Sequence, residues 1–253
     1  MQARFEGELN WIDPKLLVNE NKFNKIESFF LGLGVVFNDL KGLILFQKML
    51  LESYKKPKTN ETTAHAGNYG GVLVQIEKLI ASTIHEFFIF LEKNAEIFEE
   101  SEFKQVLSRL SKFDAQFWHS MVAAANNNLS SVSNLLKAIV KVRSNIAFHY
   151  DHSGKILRNG YISRFFGKVK DNKNKYAYYS LGDSISDIRF YFSDAAVEES
   201  LFIATGKKPK EDSAGDESLE KYRRQIIETI NVMSNTIAVL LKNYIQMRRN
   251  RPK

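Results

Sequence analysis

Apolar residues recur every three to four positions over several long stretches of this chain, which is the spacing that a core-facing helix requires. A shorter helix is predicted from Ser193 to about Ala204, and Gly154 is expected to end the long helix that begins near residue 132. The sequence therefore predicts an all-α fold, a helical bundle of about five long helices in a single domain over residues 1–253. The long stretches are 21–54, 72–98, 101–125, 132–154 and 219–247.

Between these helices the pattern becomes polar or changes its period. Residues 55–71 are expected to form a loop, and the charged residues 206–218 to be flexible. Residues 155–192 are expected to form an inserted basic loop or a short β-hairpin, since they hold short aromatic and β-branched runs. The expected strands and turn of that insertion are Tyr161–Phe166, Tyr176–Ser180, Ile188–Phe192 and, for the turn, Asp171–Asn174.

Composition narrows the class of protein. Apolar residues make up 44% of the chain and charged residues 26%, as in ordinary soluble domains. Cysteine is absent, which excludes disulfides and thiolate metal sites and suits a reducing cytoplasm. The most apolar stretch, Phe29–Phe46, holds Asp39 and Lys41, each of which costs about 2.5–3.5 kcal/mol at mid-bilayer. We therefore expect a cytoplasmic protein with no membrane partner and a core helix at this stretch.

The net charge of +7 is concentrated just behind residue 154. Aromatic residues alternate there with cations, and single-stranded RNA is bound by this combination of phosphate neutralisation and base stacking. The alternative is a solvated hairpin whose aromatic side chains pack on the bundle. The predicted nucleic-acid-binding residues, opposed between Gly154 and Ser180 by Asp171 alone, are Lys155, Arg158, Arg164, Lys168, Lys170, Lys173 and Lys175.

One arginine lies inside the apolar stripe of the fourth predicted helix. In projection along the helix axis, Arg143 lies about 20° from Val132. Because its guanidinium is permanently charged, it cannot be buried without water or a charged partner. His149 follows about 9 Å further along the helix axis. A histidine can take a proton from a ribose 2′-hydroxyl, and an arginine can hold the phosphate whose charge builds during transfer. The pair needs no metal and no cofactor for that chemistry.

The segment Arg143-Ser-Asn-Ile-Ala-Phe-His149-Tyr150 resembles the Arg-x4–6-His signature of HEPN domains, many of which are metal-independent endoribonucleases of toxin–antitoxin, abortive-infection and antiphage systems. The resemblance implies that Arg143 and His149 are catalytic and that Ser144 or Asn145 and Tyr150 support them. The position after the arginine, often Asn, Asp or His in the family, is Ser144 here. The resemblance further implies a homodimer, an RNA substrate and, for toxin-type members, an antitoxin protein partner.

Three other interpretations stay open. Arg143 could form a structural ion pair with a buried acid such as Glu77 or Asp114. The chain could be a catalytically inactive helical dimer that binds nucleic acid or a protein partner through the basic stretch. The third interpretation is a metal site, and it has the least support. Three ligands within four residues do not match the geometry of a closed zinc site. Its ligands would be His149, Asp151 and His152.

Overall fold

The computed structural model describes residues 10–58, 63–126, 150–166, 176–184, 187–204 and 215–250. Within these ranges the chain is mostly helical, with eight α-helices and one 3-10 helix, which confirms the all-α class. The helices are α1 (Pro14–Leu17), α2 (Lys25–Ser53), α3 (Ala64–Lys93), the 3-10 helix Ala95–Glu99, α4 (Ser101–Leu107), α5 (Lys112–Ala125), α6 (Tyr150–Phe166), α7 (Tyr191–Ala204) and α8 (Gly215–Arg249).

Helices α2, α3, α4, α5 and α8 share one apolar core. Its centre is aromatic: the Phe29 ring stacks on Phe90 at 5.1 Å between centroids, and Phe30 stacks on Tyr244 of α8 at 3.9 Å. Phe103 of α4 meets Phe29 edge-on at 5.8 Å. The predicted fourth long helix lies mostly outside the described residues, so the expected number of long helices stays a prediction.

Helices α6 and α7 pack on each other, and α7 also packs on α3 of the core. Gly160 permits their close approach, because a Cβ at this position would lie 2.4 Å from the Ala196 carbonyl oxygen and 2.2 Å from Ser200 Oγ. The Ser163 hydroxyl donates to the buried Glu199 carboxylate at 2.7 Å. Glycine thus sets the distance between the two helices, and a polar contact fixes their register.

The structure corrects the prediction at the insertion. Gly154 does not end a helix but lies inside α6, and Tyr161–Phe166 belongs to the same helix rather than to a strand. Aromatic residues four apart explain the error, because Tyr161 and Phe165 share one helix face with ring centroids 4.6 Å apart. Within the described residues, the region of the expected hairpin contains one isolated antiparallel bridge, between Ser180 and Arg189. The expected turn at Asp171–Asn174 lies outside them.

Three helix boundaries also differ from the prediction. The expected single helix over 101–125 is two helices, and Ser111 starts the second one by accepting a hydrogen bond from the Asp114 amide at 3.1 Å. The polar stretch 55–71 is a loop only in part, since α3 begins at Ala64. Helix α8 begins at Gly215, inside the stretch 206–218 that the composition predicts to be flexible.

Among the described helices, α2 is long and apolar enough by length and composition to cross a membrane. One side of α2 is core: Phe29, Leu33 and Leu40 are almost completely buried. The opposite face also carries large apolar side chains, including Val35 and Met49, which are 60% and 56% exposed. The helix is therefore a core element with an apolar outer face.

Two arginines, the partly buried Arg223 and the buried Arg248, connect α8 to four other helices. Arg223 Nε lies 2.5 Å from Glu77 Oε1 of α3, and its Nη2 lies 3.0 Å from Glu198 Oε1 of α7. The second arginine, Arg248, lies near the other end of the helix. Its Nη1 is 3.1 Å from Glu27 Oε1 of α2, and its Nε is 2.9 Å from Glu102 Oε1 of α4.

Replacing Arg248 with methionine should destabilise the protein by about 3–5 kcal/mol, because the buried Glu27 and the partly buried Glu102 lose their compensating charge. Urea unfolding measures the change. Arg249→Met is the matched control, since Arg249 is exposed and donates to the Trp11 carbonyl. Equal losses in the two variants would show that the ion cluster contributes no more than a surface contact.

Burial raises the pKa of Tyr244, which donates to the Leu17 carbonyl, to about 12. Above pH 10 the unfolded chain releases the phenolic proton of this side chain, whereas the folded state keeps it. The contribution of Tyr244 to the free energy of unfolding is therefore full below pH 10 and is lost between pH 10 and pH 12. The difference in unfolding free energy between the parent and Tyr244→Phe should therefore shrink over that interval. A difference that stays constant to pH 12 contradicts the raised pKa.

Candidate functional site

The predicted catalytic centre lies largely outside the described residues. Arg143, Ser144, Asn145 and His149 belong to the range 127–149, whereas Tyr150 is the first residue of α6. The alternative pairing of Arg143 with a buried acid is likewise untested.

Both acids that were considered for Arg143 have described partners. Glu77 is paired with Arg223, as given above. Asp114 accepts a hydrogen bond from Thr236 at 3.3 Å and one from Ser111 at 2.6 Å.

The predicted basic stretch is a helical surface in its first part. Lys155, Arg158 and Arg164 lie on α6, and all three are exposed. Residues 155–166 are therefore not a loop, and the cations are placed by helical geometry rather than by a hairpin. The remaining four predicted cations, Lys168, Lys170, Lys173 and Lys175, lie outside the described residues.

Helix α6 forms one wall of a cleft of about 830 Å³. The other walls are α3, the first turns of α7 and the extended segment around Ala177–Tyr179. Three aromatic side chains line the cleft, together with aliphatic groups such as Val74 and Leu157. The aromatic residues are Tyr161 of α6, Tyr179 of the extended segment and Phe192 of α7.

Two glycines of α3 hold the extended segment and the start of α7 against this helix. A Cβ on Gly67 would lie 2.4 Å from the Tyr191 ring, and a Cβ on Gly71 would lie 2.0 Å from the Arg189 guanidinium. The Tyr191 hydroxyl also donates to the Ala64 carbonyl at 3.2 Å. The glycines lie one helical turn apart, so both side chains dock on the same face of α3.

The charges around the cleft leave it electropositive. Asp194 lines it, but the Asp194 carboxylate accepts a hydrogen bond from Arg189 Nε at 2.8 Å and so is compensated. Arg158 and Lys78 also line the cleft. Within the part of the chain that the structure describes, no carboxylate lies within ion-pair distance of Arg158. The cleft therefore combines aromatic surface with an available guanidinium.

Sequence reasoning found part of this site. It selected Arg158, and it counted Tyr161 and Tyr179 among the aromatic residues of the basic stretch. It missed the α3 wall, where Gln75 and Lys78 face the cleft. The α3 wall could have been inferred from the glycines at positions 67 and 71. Glycines four apart lie on the same face of a helix, and without side chains they leave room for another segment to pack there.

Within the described residues, no group of three or more His, Asp or Glu side chains could hold a metal ion. The metal interpretation at His149, Asp151 and His152 includes a residue outside them. Comparison of the chain with protein-family models, with curated proteins and with solved structures gives no match.

Gly70 and Gly71 are neighbours on α3 with opposite surroundings, so alanine at each position separates packing from helix propensity. A Cβ on Gly70 meets nothing within 4 Å, and Gly70→Ala should stabilise the protein by about 0.5–1 kcal/mol. Gly71→Ala should destabilise it by about 1–3 kcal/mol, since Arg189 must leave its place and its contact with Asp194.

Urea unfolding of both variants measures the contrast. A stabilising effect of Gly71→Ala would mean that Arg189 does not rest on α3.

Proposed function

We propose that this protein is a metal-independent endoribonuclease of HEPN type, with the cleft beside α6 as part of its RNA-binding surface. The observation that supports the proposal most is the continuity of the chain. The Arg143–Tyr150 motif leads directly into α6, and α6 carries Arg158 and Tyr161 into an electropositive, aromatic cleft. Along the helix axis Arg158 lies about 12 Å from Tyr150.

In the proposed reaction, the neutral His149 imidazole removes the proton of a ribose 2′-hydroxyl. The 2′-oxygen then attacks the adjacent phosphorus, and the bond from phosphorus to the 5′-oxygen breaks. Arg143 donates a two-pronged hydrogen bond to the phosphate, whose negative charge increases in the transition state. A proton returns to the leaving 5′-oxygen, so the products are a 2′,3′-cyclic phosphate and a 5′-hydroxyl. Ser144 or Asn145 and Tyr150 support the pair.

The exposed cations of α6 would hold the substrate. Lys155, Arg158 and Arg164 supply three positive charges on one helix, and the sequence continues with further cations behind it. Their contribution should be non-specific and salt-dependent, because binding releases the counterions of the RNA. RNA strands would thus be kept near the motif without base recognition by these residues.

The proposal includes a homodimer in which two copies of the motif face each other across a two-fold axis, since an isologous interface can accommodate an arginine within an apolar stripe. It also includes a cytoplasmic location and a role in toxin–antitoxin or antiphage defence with an antitoxin protein as partner. The homodimer predicts twice the chain mass of 29.1 kDa in light scattering.

A second candidate function is a catalytically inactive helical dimer that binds nucleic acid or a protein partner. The cleft supports both candidates equally, because its aromatic and cationic side chains can bind RNA whether or not the RNA is then cleaved. The two candidates differ only in the role of Arg143 and His149. A cleavage assay therefore separates them.

The purified protein should cleave single-stranded RNA in the presence of EDTA, and His149→Ala should reduce the rate by at least 100-fold, the usual contribution of a general base. Arg143→Ala should act similarly, because the transition-state charge loses its donor. His119→Ala is the matched control, since His119 is exposed on α5. Equal cleavage by the parent and His149→Ala would reject the nuclease assignment.

The binding candidate has its own test. Reversing Lys168, Lys170 and Lys173 to glutamate should abolish RNA binding and reduce its salt dependence, whereas His149→Ala should leave binding intact. A control variant reverses three exposed lysines elsewhere, Lys22, Lys41 and Lys112, with the same change in net charge. Equal losses in the two triple variants would mean that overall charge, not this stretch, attracts RNA.

A further inference from the structure

We propose that the cleft between α3, α6 and α7 is a pocket for a single unstacked nucleotide, with its base among the aromatic side chains and its phosphate on Arg158. The ligand class is an aromatic base joined to a phosphate, either as a free mononucleotide or as one unit of a single-stranded RNA. The inference deepens the proposed function and, in its RNA form, rests on it.

Size selects among possible occupants. The cleft volume of about 830 Å³ falls in the range of roughly 300–1,000 Å³ that small ligands and cofactors occupy. A protein helix of several turns, about 10–12 Å in diameter with its side chains, or a nucleic-acid duplex has a larger volume than this cleft and cannot enter it as a whole. A base and its attached phosphate can enter only where the strand is not paired.

The lining fits the two chemically different ends of a nucleotide. Tyr161, Tyr179 and Phe192 present aromatic surface, on which any base can stack. Tyr161 is held in place by its neighbours, with the Phe192 ring edge-on at 6.4 Å between centroids. Tyr179 is 61% exposed and so has free surface that a base can cover.

The polar groups of the lining complete the fit. Arg158 is exposed on the α6 wall and suits the planar, two-pronged recognition of a phosphate. Asp194 does not oppose an anion here, because Arg189 Nε donates to its carboxylate. Gln75 on the α3 wall has an amide that offers a donor and an acceptor, the combination with which the edge of a base pairs.

The preference for an unstacked nucleotide follows from the cost of opening a duplex. Extruding a base from a paired strand costs a few kcal/mol, whereas a base in a loop or a single strand is already available. A nuclease with such a pocket would select loops and single strands. Its other cations would bind phosphates without this discrimination.

Calorimetric titration of the full chain tests the pocket directly. Adenosine 5′-monophosphate and uridine 5′-monophosphate should bind at least tenfold more tightly than inorganic phosphate or the corresponding nucleoside, since only the nucleotide engages both ends. A trinucleotide of single-stranded RNA should bind more tightly still if the natural source is a strand. A free mononucleotide that binds as tightly as the trinucleotide identifies the monomer as the ligand.

Matched variants assign the binding to this cleft. Arg158→Ala should weaken mononucleotide binding at least tenfold, whereas Arg109→Ala, at an exposed arginine outside the lining, should leave it unchanged. Tyr179→Ala should weaken it about tenfold, whereas Tyr176→Ala, equally exposed but outside the lining, should not. Circular dichroism and thermal unfolding confirm that each variant is folded.

Two results would overturn the inference: mononucleotides bind no better than phosphate, or the two members of each variant pair behave alike. The proposed nuclease is tested separately. RNA cleavage that depends on His149, without mononucleotide binding in the cleft, rejects the pocket and keeps the nuclease. Mononucleotide binding that depends on Arg158, without RNA cleavage, keeps the pocket and rejects the nuclease.

Discussion

The need to compensate two guanidinium groups, one partly and one fully buried, determines how the helices of this protein are arranged. An arginine stays charged at any ordinary pH, so burial requires carboxylates at hydrogen-bond distance. Arg223 meets acids of α3 and α7, and Arg248 meets acids of α2 and α4. Both arginines belong to α8, which therefore fixes the positions of four helices at once. Removing one partner would leave a charge in the core, so the arrangement has few low-energy alternatives.

The cleft lies between α3, α6 and the first turns of α7, and the extended segment around Tyr179 completes its lining. Glycines in α3 leave room for the Tyr191 ring and the Arg189 guanidinium, and Gly160 of α6 permits a close approach of the α7 backbone. Around the cleft, Arg189 compensates Asp194 and leaves Arg158 available at the α6 wall. The same surface thus provides aromatic area for stacking and a cation for phosphate. These are the two requirements of single-stranded nucleic-acid binding, and they apply to both proposed functions.

Much of the helical content could be predicted from the sequence, because burial of one helix face imposes a period on apolar residues. Helices α2, α7 and most of α8 follow their predicted ranges. The errors have physical reasons. Glycines at 67 and 71 indicated a loop, although they serve the docking of side chains on a helix. Aromatic residues around Tyr161 indicated a strand, although their spacing of four also fits a helix face.

The sequence by itself determined the all-α class, the concentration of positive charge behind residue 154 and the Arg143–His149 motif, because each is a property of residue order and spacing. Only the tertiary structure decided which acids compensate which arginines, and it brought the α3 wall with Gln75 and Lys78 to Arg158 of α6. Those residues are separated by about 80 positions in the chain. The periodicity of apolar residues shows which face of a helix is buried. Which other helix covers that face depends on how all the helices pack together.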